Sequence, residues 1–155
     1  MPFSRYTLVL LGLLLGACSR EDETASSTYQ PVVDVHQSMV WIIDPAADMI
    51  WDSAGTIITA EGQQELEPTT DEGWQKIVNS AAVLTEAGNL LMIPGRSAGQ
   101  DWNEYAQGLI AAGSEAIEAA RNQNADALFD AGGRIYSVCK ACHDQYMVEV
   151  DDTDE

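Results

Sequence analysis

Residues 132–146 read GGRIYSVCKACHDQY and contain two of the chain's three cysteines and one of its two histidines. Leu128, Gly132, Ile135, Cys139, Cys142 and Tyr146 recur in steps of three and four, the period of one helix face. Asn124 stands where an N-cap would open that helix. Cys139, Cys142 and His143 are three and four residues apart, so all three share the striped, inward face.

Upstream of this helix, three more stripes are legible. Val32, His36, Met39, Ile43, Ala47, Ile50 and Ala54 form the first, interrupted at Asp44-Pro45, where Asp44 could cap a fresh start. Trp74, Ile77, Ala81, Leu84, Gly88 and Leu91 form the second, opened by Thr70 or Asp71 and stopped by Pro94-Gly95. The third, from near Gln100, is Trp102, Tyr105, Leu109, Gly113, Ala116 and Ala120. Residues 55–73 read as a long connection, and no alternating run is long enough to predict a strand. The expected fold is all-α, an antiparallel up-down-up-down four-helix bundle over residues 31–150. Small inward residues (Ala81, Gly88, Gly113, Ala116, Gly132) imply either close helix packing or room for something flat. The four tryptophans, Trp41, Trp51, Trp74 and Trp102, read as core or rim packing.

The N-terminus reads as a targeting signal. Arg5 precedes the apolar run TLVLLGLLL, which is too short to span a bilayer. Gly16-Ala17-Cys18 then resembles the lipobox of bacterial lipoproteins. That resemblance makes residues 1–17 a lipoprotein signal peptide and Cys18 the lipidated new N-terminus. With Ser19 following, it implies a periplasm-facing protein on the outer membrane of a Gram-negative cell, held by a lipid anchor only. Residues 18–30 read as a polar tether and 151–155 as an acidic tail. Removing residues 1–17 deletes Arg5 and no acidic residue, taking the net charge from −18 to −19. Such a charge disfavours nucleic acid and favours a partner that is basic at the contact, although solubility alone also accounts for it.

Exported cysteines commonly pair, but a two-residue spacing within a helix strains that bond. A redox dithiol belongs at the exposed start of a helix in a βαβ setting, which this chain lacks. A zinc site needs about four ligands, and this stretch offers three. One covalent haem c fits better: Cys139 and Cys142 add to the two vinyl groups, and His143 becomes the proximal iron ligand. The alternative is an exported redox-dithiol or metal-binding protein using the same three residues. No nucleophile–base pair or phosphate loop stands out, so the sequence offers no case for an enzyme.

With its C-K-x-C-H-x-x-[FY] pattern in a last helix near the C-terminus, GGRIYSVCKACHDQY resembles the cytochromes c′. Outside that helix the resemblance is architectural only. It implies electron transfer, binding of a small gas such as nitric oxide or carbon monoxide, an electron-transfer protein as partner, and a homodimer through the first two helices. It also places Lys140 and Tyr146 at the flanking positions, Tyr146 packing against haem. Two departures remove positive charge near the haem: Met147 follows the aromatic where a basic residue is usual, and the customary first-helix arginine is not evident. For the distal face of the iron the candidates are Met39, as packing or as ligand, and His36 as ligand. Met147, four residues from His143, falls on the wrong side. Arg96 and Arg134 are candidates for a haem propionate or for ordinary surface ion pairs.

Overall fold

The computed structural model describes residues 29–147. The expected signal segment, Cys18, the tether up to residue 28 and the acidic tail lie outside the described residues. The described chain is mainly helical. A first helical arm comprises α1 (Val35–Ser38), a π turn (Met39–Ile43) and α2 (Asp44–Trp51). A hairpin of β1 (Thr56–Thr59) and β2 (Gly62–Glu65) follows, then α3 (Asp71–Leu91), α4 (Gln100–Arg121) and α5 (Ala125–Tyr146). Among the described residues, no helix is long and apolar enough to cross a membrane.

The hairpin corrects the expectation of a long 55–73 connection without strands. Its strands pair antiparallel, Thr56 opposite Glu65 and Thr59 opposite Gly62. Every one of its strand residues is exposed, so no alternation of apolar and polar residues marked it.

The π turn corrects the first stripe. Pro45 has no N–H to donate, and its ring would press on the carbonyl four residues back, that of Trp41. The turn before it widens instead, and the Asp44 N–H bonds to the Met39 carbonyl, five residues back. Asp44 thus lies inside the arm with a helical backbone instead of capping a new start. The true start is Asp34. Its Oδ1 accepts from the Gln37 N–H at 2.7 Å, and Gln37 Oε1 accepts from the Asp34 N–H at 3.1 Å. One extra residue rotates everything upstream by about 100°. Val35 and Ser38 therefore turn toward the core, whereas Val32 and His36 are exposed.

The three long helices follow their stripes. Thr70 caps α3 by accepting from the Gly73 N–H, with Asp71 and Glu72 in the first turn where the helix dipole favours negative charge. Asn124 caps α5 by accepting from the Ala127 N–H at 3.0 Å. The turn before it is a Schellman closure: the Asn124 N–H reaches the Ala119 carbonyl and the Gln123 N–H that of Ala120. Gln123 adopts φ 51° to make it. Asn124→Ala should cost about 1 kcal/mol in denaturant unfolding, with an unchanged m-value.

α3 packs on α4, α4 on α5, and α2 on both α3 and α5. Along α3 and α4, Leu91 meets Trp102, Gly88 meets Ala106 and Ile110, and Thr85 meets Gly113. Along α4 and α5, Tyr105 meets Gln145, Gly108 meets Val138, and Glu115 pairs with Arg134. Ile50, Ile77, Leu84, Leu128 and Ile135 are the largest apolar side chains fully buried between them. Trp74 and Trp102 are buried, but Trp41 is 62% exposed.

Candidate functional site

Late in α5, Cys139, Cys142 and His143 border one cavity of about 290 Å³. Met39 and Ile43 from the π turn and Ala47 from α2 form the facing wall. Leu91, Trp102, Ala106 and Leu109 contribute further lining from α3 and α4. The π turn therefore sits where the arm meets the cavity.

Of the sequence-predicted residues, the cavity brings together Cys139, Cys142, His143 and Met39. His36 is exposed and not part of the lining, as the rotation at the π turn requires. Tyr146 stands one layer behind. Its ring meets Trp102 edge-on at 5.1 Å and Tyr105 at 6.3 Å, and both of those residues line the cavity. Cys18 lies outside the described residues.

None of the small residues expected to leave room lines the cavity. Gly88 and Gly113 serve close packing of α3 on α4: a Cβ on Gly88 would lie 2.8 Å from the Ala106 carbonyl oxygen, and one on Gly113 would strike Thr85 Oγ1. Gly132 admits Trp51, whose Nε1–H donates to the Gly132 carbonyl at 3.0 Å. The arginines are engaged elsewhere. Arg96 donates to the Val33 and Leu90 carbonyls, and Arg134 pairs with Glu115.

Three charged side chains at the cavity had no stripe or motif to announce them as a group: Asp44, Lys140 and Asp144. Lys140 Nζ pairs with Asp144 Oδ2 at 2.6 Å, one helical turn on. Burial, then the Asp44 carboxylate and the neighbouring Cys142, push the Cys139 thiol up to about 11. Burial also raises the Cys142 thiol. Both thiols are thus held protonated at neutral pH, the reverse of an activated dithiol. Among the described residues, no group of three or more His, Cys, Asp or Glu side chains is placed to hold a bare metal ion.

A macrocycle with an apolar rim suits this lining. The walls are mostly apolar, two thiols border them, and an imidazole stands beside the second thiol. Compared with protein-family models, curated proteins and solved structures, the chain gives no match.

Proposed function

We propose that this chain is a c-type cytochrome with one covalent haem, acting in electron transfer, in binding of small gases, or in both. The observation that carries the reading is the single cavity bordered at once by Cys139, Cys142, His143 and Met39. When bound, haem supplies an iron that cycles between ferric and ferrous states and can take a diatomic ligand. Cys139 and Cys142 would hold it as thioethers, and His143 would ligate the iron from the α5 side. Met39, Leu109 and Trp102 give that space an apolar lining, and Met39 would face the haem from the first arm. The reading assigns no catalytic residue.

Contact pairs whose numbers run in opposite senses, such as 91 with 102 and 85 with 113, support an up-down-up-down bundle. The three-residue α4–α5 turn supports it as well. Val40, Trp41 and Val83 expose apolar surface on the first arm and α3, in keeping with a homodimer through the first two helices. Export and lipid anchoring at Cys18 belong to the same reading. The redox-dithiol alternative gains nothing from two thiols raised by burial.

Asp44 and Asp144 put negative charge at the cavity with only Lys140 to oppose it. That balance favours the more positive ferric state and lowers the reduction potential. Asp44→Asn should raise the midpoint by tens of millivolts, roughly what one partly screened charge exerts at this range. Spectroelectrochemical titration of the two proteins side by side reads the sign directly.

The reading is tested by absorption spectra of the exported protein, ferric and ferrous, with and without carbon monoxide. Covalent haem that survives denaturation is expected. A high-spin spectrum that responds to the gas makes Met39 a packing residue, and a low-spin one that refuses it makes Met39 a ligand. No haem from a host competent in c-type maturation would end the proposal.

A further inference from the structure

A second recess lies on the surface beside the cavity. It is lined by Trp51 and Ala54 from the end of the first arm and by Phe129, Gly132, Gly133 and Tyr136 from α5. Trp51 and Tyr136 line both spaces and meet edge to face, their ring centroids 6.3 Å apart. They are thus a shared wall one aromatic layer thick between the cavity and the solvent. The Trp51 indole N–H is spent on the Gly132 carbonyl, so the recess presents an apolar surface. A Cβ on Gly133 would meet nothing within 4 Å, and Phe129 and Tyr136 are about three-fifths exposed. What sets these two rings apart from the chain's other exposed apolar side chains is that they line one recess together with Trp51.

The rim supplies the sign of the partner. Asp126, Phe129, Asp130 and Gly133 fall at helical spacing on one face of α5, and Asp48 and Asp52 flank Trp51 on the arm. All four carboxylates are exposed. The nearest cation on α5, Arg134, is occupied by Glu115. An apolar centre ringed by uncompensated negative charge complements a protein that carries an apolar patch ringed by lysine or arginine.

We infer that the Trp51–Phe129–Tyr136 recess is the docking surface for a basic redox protein, with which the haem site exchanges single electrons across the Trp51–Tyr136 wall. This rests on the cytochrome reading. One centre is oxidised as the other is reduced, and no bond forms and no proton moves.

The test uses the haem-loaded chain with a small basic monohaem cytochrome c as probe. Its absorption spectrum is taken first; a chain without haem overturns the cytochrome reading, and this one with it, before any probe is added. Amide shifts of the ¹⁵N-labelled chain on adding the probe should centre on Ala54, Phe129, Gly132, Gly133 and Tyr136. In stopped flow at low salt, Asp126→Asn/Asp130→Asn and Phe129→Ser should each slow exchange, the charge pair by about tenfold, with a shallower salt dependence. Glu86→Gln/Glu104→Gln, an equal charge change on α3 and α4, should change it less than twofold. Equal slowing by both pairs means a general field and overturns the proposal. So do shifts centred elsewhere, or shifts at the recess that follow the chain's own concentration without the probe and so mark a second copy.

Discussion

Cys139→Ala/Cys142→Ala, exported from a host that matures c-type haem, will retain no haem after denaturation. His143→Ala will retain it but lose the parent spectrum. The two variants separate attachment from ligation because the roles fall on different atoms of one helix face. The thiols sit one turn apart, and the imidazole follows the second of them. Removing both thiols would remove every proposed covalent bond, so haem retained after denaturation should fall to background. If His143 is the ligand, removing its imidazole would leave the proposed thioethers in place and the iron would take water or a stray ligand. A parent-like spectrum in His143→Ala would sink the proximal assignment.

Gly88→Ala and Gly133→Ala will change stability in opposite directions, though both put the same methyl in a helix. Alanine gains about 1 kcal/mol over glycine from helix propensity at either site. At Gly133 nothing lies within 4 Å of the new carbon, so that gain should survive almost whole. At Gly88 the methyl would meet Ile110 Cγ1 at 2.6 Å and the Ala106 carbonyl oxygen at 2.8 Å. The isoleucine has some freedom to turn, but the carbonyl belongs to the backbone of α4. Relief requires α3 and α4 to part, which costs about 2–3 kcal/mol and outweighs the propensity gain. Paired urea titrations would read a gap of about 2 kcal/mol or more between the variants. Equal midpoints would mean that α3 and α4 do not approach closely at Gly88.

Where burial alone shaped the chain, the helices were legible. Trp74, Ile77, Ala81, Leu84, Gly88 and Leu91 are all buried as their spacing implied, and Asn124 caps α5. The π turn was not legible, because a 3.6-residue period assumes one hydrogen-bond pattern throughout. Pro45 was visible, but its consequence was a widened turn and not a break, and that carried His36 out to solvent. The hairpin was hidden for a different reason: Ile57 and Ile58 are adjacent and both exposed, so neither face carries a pattern. At the site, the cysteine pair and His143 announce themselves by local spacing. Asp44 and Trp51 are more than 80 residues from Cys139 and Leu109 is 30, and only the packing of α2, α4 and α5 collects them.

Arg96 grips the Val33 carbonyl from the α3–α4 connection, and this fixes the point at which any mechanical leash must begin. Val33 enters beside Leu90, whose neighbour Leu91 lines the cavity, so a pull from the N-terminal side is delivered to the cavity's end of the molecule. Val33 lies fifteen Cα steps beyond Cys18, and no path that segment takes can exceed about 50 Å. A lipid on Cys18 would therefore confine this domain to a shell of that depth. Within it, the clamped end would be held toward the bilayer, and a carrier itself confined to the same layer would meet it more often than in open solution.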